Sequence, residues 1–472
     1  MTSVKESSSE NSRLFAKIVG PERNFDIINK KTEIAGRAAE FYMIDGFVKD
    51  EIMEKLLESF IALKPEDLPD TPEGFMDIVP YIEVTPRESL EDAAKDMLMG
   101  MVCMFLDGFK TCFVIDCRTY PARGVSEPWK NRVLRGSRDG FVETIAANVA
   151  LIRRRIRTPD FCVEMMDAGT MSHTDIAFAY IQGKADEKLL QSLKDRVKKI
   201  KVEALTMNIE SLAEVLLPGA YINPFPKFKY SERPDSAAAA IFDGNIVILV
   251  DNSPAVIIVP TSIFDVAEEA DDYYFPPVTG TYIKLSRYLI SIAALIMTPM
   301  WLVFLNNPEM VPESLKFILI DESASTSTVP VIWQLFILEF CIDGLRLAAV
   351  NTPTLLSTPL SVIAGIVVGE YAVSSGWFDA ECLLYMAFVT IGTYTQASYE
   401  VGYAIKFFRM LLLLLCWFFG WWGFGAGLLL FVLTMAFNRT ISGKSYIYPL
   451  IPFNGKMLAR KIFRLRLGKE KN

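Results

Sequence analysis

The run 288-YLISIAALIMTPMWLVFLNNP-308 decides the fold class, because its 21 residues carry no charge. At a rise of about 1.5 Å per helical residue, such a stretch crosses a hydrocarbon core of about 30 Å. Upstream of it the chain mixes charged and apolar residues as water-soluble domains do; downstream, as far as residue 437, long apolar stretches dominate. The 472 residues therefore divide into a soluble part and a membrane part. The expected fold class is multi-domain: a cytoplasmic α/β N-terminal region of two mixed subdomains, followed by an α-helical transmembrane domain.

The flanking charges set the orientation. Lys284 and Arg287 precede the run, and Glu309, Glu313, Asp321 and Glu322 follow it against a single Lys316. The excess of cations on one side predicts a cytoplasmic N-terminal region. The second apolar segment, 329–350, contains Glu339, Asp343 and Arg346, and the third, 360–378, contains Glu370. The fourth, 382–398, has a polar side of Thr390, Thr393, Thr395, Gln396 and Ser398. Lys406 and Arg409 follow it, which reads as a return to the cytoplasm. Residues 410–437 then give 28 uncharged positions. One span would leave the tail outside, yet Lys456, Arg460, Lys461, Arg464, Arg466, Lys469 and Lys471 stand there against Glu470. A hairpin of two short helices, turning among Gly420, Gly423, Gly425 and Gly427 with Trp421 and Trp422 at an interface, removes the conflict. The expected membrane domain is 284–440, four spans plus a short hairpin, with a basic cytoplasmic tail over 441–472.

Residues 1–24 are polar and rich in Ser and Glu, with no apolar stretch of the signal-peptide kind, and read as a disordered tail. The first soluble subdomain, 25–158, is expected to hold a helix over 32–63, strands over 79–84, 101–106 and 111–115, and a helix over 139–157. In that last helix Phe141, Val142, Ile145, Val149, Ile152 and Ile156 keep the spacing of one buried face. The second, 159–283, is expected to hold strands over 161–166 and 175–181, a charged helix over 186–201, and a hairpin of 245–250 with 255–259 about the turn Asp251-Asn252-Ser253-Pro254.

The net charge of −8 argues against nucleic acid as a partner. Seven scattered Cys without a CxxC pair, and one His, argue against a zinc centre and leave buried thiols as the expectation. Phosphate-binding, dinucleotide-binding, metalloprotease and nucleophile-elbow motifs are absent, so the reading is that of a protein with no catalytic residues, no cofactor and no metal. His173 reads as a surface or turn residue. Arg153, Arg154 and Arg155 read either as a solvated cluster at a helix C-terminus or as an interdomain or partner contact.

The charges inside the apolar segments are the sharper signal. Glu339, Asp343 and Arg346 are spaced four and three apart and share one helical face. An isolated charge at the centre of a span costs roughly 2.5–3.5 kcal/mol, so the stripe must meet water, protein or headgroups. Two readings stand: a pore or interface helix in an oligomer, and an amphipathic helix lying at the membrane surface. Glu370 is a second pore candidate or a residue at the outer membrane edge. The polar side of the fourth segment lines a water path or makes ordinary interhelical hydrogen bonds.

Several separated motifs carry a resemblance. They are Arg135-Gly-Ser-Arg-Asp-Gly-Phe-Val-Glu143 with Asn148 and Leu151-Ile-Arg-Arg-Arg-Ile156; Pro224-Phe-Pro-Lys-Phe-Lys-Tyr-Ser-Glu-Arg-Pro-Asp235; Asp251-Asn-Ser-Pro254; Val259-Pro260; Asp271-Asp-Tyr-Tyr274; Ser398-Tyr-Glu400; and Tyr446 to Pro449. Their order over about residues 25–455 resembles the GerA-type spore-germination receptor A subunits. Ser137 stands where that family usually has Pro, and Ser231 where it has Thr. The ending 447–455 and the basic tail resemble a sporulation branch of the family rather than the nutrient receptors proper. The resemblance implies a homo-oligomeric membrane protein of the inner spore membrane. It would release ions, monovalent cations among them, and amplify or support germination beside another germination membrane protein and membrane lipid. A non-conducting scaffold is the competing reading. A secondary transporter ranks below both, because the membrane part has no internal repeat.

Overall fold

Two five-stranded antiparallel sheets built to one plan make up the soluble region. In chain order the first runs α1 (Ser8–Val19), β1 (Ile27–Ile34), β2 (Arg37–Ile44), α2 (Asp50–Ile61), α3 (Pro72–Ile78), β3 (Val84–Arg87), α4 (Leu90–Leu98), β4 (Val102–Leu106) and β5 (Cys112–Ile115). The second runs α5 (Ile145–Arg153), β6 (Phe161–Ala168), β7 (Thr174–Ile181), α6 (Glu187–Lys198), α7 (Ile209–Leu216), β8 (Lys229–Ser231), α8 (Pro234–Phe242), β9 (Ile246–Val250) and β10 (Val256–Val259). Strand orders are β1-β2-β4-β5-β3 and β6-β7-β9-β10-β8, so each strand has the same neighbours in both sheets. The structure is a computed structural model describing residues 2–81, 83–119, 135–217, 223–319, 327–352 and 365–464.

Burial explains why the central strands read as unbroken apolar runs. Successive side chains of a strand point to opposite faces. In the first sheet Tyr42, Ile44, Cys103 and Phe105 pack with Phe15 of α1 and Leu90 and Met97 of α4. Their neighbours Phe41, Met43, Val102 and Met104 pack on the other face with Leu56 and Phe60 of α2 and Phe75 of α3. In the second sheet α5 and α8 take the places of α1 and α4: Ile145, Val149, Ile152, Ala237 and Ile241 share a core with Phe161, Val163, Ala177, Val247 and Leu249.

Several expectations are corrected. Residues 1–24 are not a disordered tail: α1 lies within them, Phe15 and Val19 are buried, and Gly20 caps the helix at φ 63°. The helix expected over 32–63 is the β1–β2 hairpin followed by α2. Ile34 pairs with Arg37 across a two-residue turn in which Ala35 and Gly36 both have positive φ, the geometry that suits strand twist. The strand near 79–84 is instead 84–87. The helix over 139–157 is shorter, and its apolar face packs on the second sheet, so the subdomain boundary lies before Phe141 rather than near 158. The hairpin about Asp251–Pro254 forms, with Ile257 opposite Ile248.

The other compact unit comprises 219–227 and 261–472. Residues 261–283, expected in the soluble region, belong to it. Arg287 pairs with Asp272 at 2.9 Å and Glu269 at 2.8 Å, and Lys284 with Glu268 at 2.5 Å, which fastens this acidic stretch to the first long helix. The helices used below are α9 (Pro277–Asn306), α10 (Val331–Asn351), α11 (Ala380–Tyr394), α12 (Tyr399–Phe437) and α13 (Gly455–Ile462). Among the described residues, α9 and α12 are long and apolar enough to cross a membrane. α12 reverses at Gly420, where φ is 54° and ψ −130°. Its arms, 399–419 and 421–437, pack on each other, with Phe408 and Phe431 ring centroids 5.1 Å apart. Where the third span is expected, residues 365–371 form a π-helical turn, and 353–364 lie outside the described residues. Asp321, Glu322, Arg466, Lys469, Glu470 and Lys471 also lie outside them.

Candidate functional site

The middle of α10 meets the middle of the first arm of α12, and four charges meet there. Glu339 and Asp343 sit one turn apart on α10, and Lys406 and Arg409 one turn apart on α12. Arg409 reaches Glu339 through Nε at 2.7 Å and Nη2 at 2.6 Å, and its Nη1 donates to the Ala294 carbonyl of α9 at 3.0 Å. Lys406 Nζ lies 3.3 Å from Glu339 Oε2, donates to the Glu339 carbonyl at 3.1 Å, and pairs with Asp343. Glu339 and Arg409 are each 2% exposed, whereas the Asp343 side chain is 33% exposed. Two carboxylates face two cations, so the cluster is neutral and each buried charge has a partner, the condition under which ions persist away from water.

This arrangement settles where the sequence-marked residues stand. Glu339 faces inward and is consumed by its partners. Asp343 is paired but keeps an open edge. Arg346, one turn further, lies over the rings of Tyr394, Tyr399 and Tyr403 at 5.5, 4.8 and 4.9 Å, a cation held against three aromatic faces. Glu370 is exposed on the π-helical turn, apart from the cluster. Lys406 and Arg409, read from sequence only as cations marking a return to the cytoplasm, are buried partners of the carboxylates. The hydroxyls of Thr390 and Thr393 donate to carbonyls four residues back, and Gln396 accepts from Ser291, so these side chains are occupied within the unit. Sequence reasoning also missed Gln334 and Asp379, both buried: the Gln334 amide donates to Asp379 Oδ2 and accepts the Asp379 N–H, each at 2.8 Å.

The three arginines of α5 part company. Arg153 is fully buried, bonded to Asp26 and to Asn24 Oδ1 at 3.0 Å, and its guanidinium lies 4.8 Å from the Phe161 ring. Asn24 also accepts the Val163 N–H at 2.9 Å, so the residues before β1 are sewn to β6. A solvated cluster is therefore excluded for Arg153. Arg154 is exposed, and Arg155 pairs with Asp139 at 2.6 Å. Burial raises the Asp139 carboxyl, but hydrogen bonds from Arg155 and Ser137 outweigh it and hold the group below its usual range.

The separated motifs converge on this part of the soluble region. Arg233 donates to the Ser137 carbonyl at 2.9 Å and pairs with Asp235 at 2.6 Å, and Phe141 N–H donates to the Glu232 carbonyl at 2.9 Å. Asp251 Oδ1 accepts the Ile145 N–H at 3.1 Å, capping α5, and Asn148 donates to the Ser253 carbonyl at 3.4 Å. Ser137 enters the Arg233 contact through its backbone carbonyl, which a Pro would also offer, so that bond survives the substitution. His173 is exposed at φ 42° beside Asp167. All seven cysteines are free and six are buried. Among the described residues no three His, Cys, Asp or Glu side chains group as metal ligands.

Residues 14–472 match the family model described as Bacillus/Clostridium GerA spore germination protein. The chain belongs to the GerA family. Stage V sporulation protein AF of Bacillus subtilis is 34% identical over 465 residues, covering 98% of this chain and 93% of that protein. Spore germination protein KA of the same organism is 26% identical over 389 residues, covering 82% and 71%. Among solved structures, the N-terminal domain of the A subunit of the Bacillus megaterium spore germinant receptor GerK3 is 28% identical, covers 55% of this chain and 96% of that one, and aligns with a TM-score of 0.43. This GerA-family chain thus matches both a sporulation protein and germination proteins over most of its length.

Proposed function

We propose that this chain is a membrane subunit of a spore germination complex and that its helical unit, assembled as a homo-oligomer, conducts monovalent cations across the spore inner membrane. Family membership supports the first part, and the long apolar helices α9 and α12 support membrane placement. The conducting part rests on Asp343: in one copy it is a carboxylate anchored by Lys406 yet a third exposed, on a helix whose other charges are held. An ionisable group inside a membrane bundle that keeps one edge open is suited to meet a passing cation. The basic residues Lys456 to Arg464 support a tail on the cytoplasmic (core) side, with the N-terminal region on the same side. Another germination membrane protein is the expected partner.

A second reading, a non-conducting scaffold, is favoured by the pairing of Glu339 with both Lys406 and Arg409, which makes the cluster a tie between helices. Potassium efflux from liposomes holding the full-length protein separates the two. A conducting oligomer gives efflux that Asp343→Asn alters in rate or selectivity, with Glu370→Gln as the companion variant. Folded, oligomeric protein that passes no cation supports the scaffold.

A further inference from the structure

Segment 446–464 is pinned at both ends and exposes apolar side chains between them. At its start Tyr446 is fully buried; its carbonyl accepts the Ile263 N–H at 3.0 Å, and its own N–H donates to the Asn438 carbonyl at 3.1 Å. At its end Lys461 pairs with Asp265 at 2.5 Å, and the Arg464 N–H donates to Thr281 Oγ1 near the start of α9 at 3.1 Å. Between these anchors Leu450, Ile451 and Phe453 are exposed, Phe453 to 74%, and Phe463 is exposed just after α13. A fixed loop that presents an apolar tip calls for a cover.

Position and charge identify that cover. Thr281 lies seven residues before Tyr288, where the uncharged run of α9 begins, or about 10 Å along the helix axis. The same helix presents Val278, Tyr282, Leu285, Leu289 and Ile292, spaced four, three, four and three apart and all exposed, which is the stripe of a lipid-facing helix. Segment 446–464 therefore ends within about 10 Å, along α9, of the start of the uncharged run. On α13, Lys456 and Arg460 are one turn apart, with Leu458 and Ile462 on another face. Arg464 follows, and its Nε is buried with no hydrogen-bond partner among the described residues. An apolar tip beside a cationic face is the composition that holds a segment to an anionic lipid surface.

We propose that segment 446–464 is an interfacial anchor that binds anionic phospholipid headgroups where α9 enters the membrane. This rests on the membrane-subunit reading above and adds the lipid class and the residues that take it: Leu450, Ile451 and Phe453 enter the interface, and Lys456, Arg460 and Arg464 hold phosphate.

The test uses full-length protein in a Cys341→Ser background, with Phe453→Cys carrying an environment-sensitive fluorophore. The protein is reconstituted in phosphatidylcholine vesicles and in phosphatidylcholine–phosphatidylglycerol vesicles. The expected result is a blue-shifted label, shielded from aqueous iodide and quenched by spin-labelled lipid, more so with phosphatidylglycerol. Each cation contributes about fivefold to that preference, so Lys456→Gln/Arg460→Gln/Arg464→Gln abolishes the lipid-dependent difference. A label equally open to iodide in both vesicles overturns the proposal, as does a phosphatidylglycerol effect that survives the triple variant. The same fluorophore on Ile292→Cys separates the two readings. If it is lipid-buried while the Phe453 label is wet, only the anchor fails; if both are wet, the membrane reading fails with it.

Discussion

Arg409→Gln is the most informative perturbation of the helical unit. Arg409 is 2% exposed and makes three polar contacts of 3.0 Å or less, two to Glu339 and one to the Ala294 carbonyl. Its removal strips Glu339 of its shortest contacts and leaves only Lys406, at 3.3 Å, which also serves Asp343. Two carboxylates then share one cation, and one charge is buried without compensation. Removing one member of a buried pair costs about 3–5 kcal/mol, and the remaining lysine places this case at the lower end, about 3 kcal/mol. Lys406→Gln costs less, about 1–2 kcal/mol, because Glu339 retains Arg409 and the partly exposed Asp343 falls back on water. Glu339→Gln/Arg409→Gln recovers about 2 kcal/mol relative to the sum of its single variants, since neither charge is then orphaned. The assay is equilibrium unfolding of the full-length protein in nonionic micelles titrated with sodium dodecyl sulfate, followed by tryptophan fluorescence. A cost for Arg409→Gln no larger than that for Lys406→Gln, or strict additivity in the double variant, would refute the reasoning.

Three further outcomes are expected. Arg153→Leu destabilises the soluble region by about 3–5 kcal/mol by stranding the buried Asp26, while Arg154→Gln, at an exposed position, changes stability by no more than about 0.5 kcal/mol; urea melts of the two variants check the contrast. The folded Asp139 carboxyl is depressed, so its contribution is present above the unfolded value of about 4 and lost as pH falls through the folded one; Arg155→Gln should flatten the stability–pH curve below about pH 4 and leave the neutral-to-alkaline limb unchanged in slope. A Cβ on Gly423 would overlap the Leu415 carbonyl, so Gly423→Ala should loosen the reversal of α12, read as increased thiol reactivity of the otherwise buried Cys416.

What the sequence made legible follows the reach of local periodicity. The uncharged run 288–308 marked α9, and the turn Asp251–Pro254 marked the β9–β10 hairpin, because both signals are complete within a few residues. The helix misread over 32–63 illustrates the limit. Both faces of β2 are buried, so Phe41, Tyr42, Met43 and Ile44 lack the alternation that marks a half-exposed strand, and the Ala35-Gly36 turn lacks the Asn-Gly signature. α1 was missed because Ser8, Asn11 and Ser12 are buried polar residues, with Ser12 satisfied by Glu40 and Tyr42, and such contacts across the fold have no local trace. At the candidate site the carboxylates stood out as costly, but their partners lie 63–70 residues away in the chain. The matching signal was spacing: Glu339 and Asp343 are four apart and Lys406 and Arg409 three apart, each pair on one helical face.

The repeated plan of the soluble region bears on how the two parts of the sequence should be read. Among the described residues, nine α-helices and strands in the order helix, two strands, two helices, strand, helix, two strands occur twice, and both sheets place their strands identically. The helix that opens each set packs on the same face as the helix between the third and fourth strands. Repetition at this level constrains burial rather than residue identity, which is why α1, with its polar buried face, and α5, with its apolar one, share a role without resembling each other. It also explains the weight on Arg153. α5 opens the second set, and its last residue reaches back to Asn24 and Asp26, just before the first strand of the first set. Asn24 in turn bonds Val163, in the first strand of the second set. The arginine thus joins equivalent places in the two sets through buried, charge-assisted bonds, and the loss of Arg153 should uncouple the sets before either sheet melts.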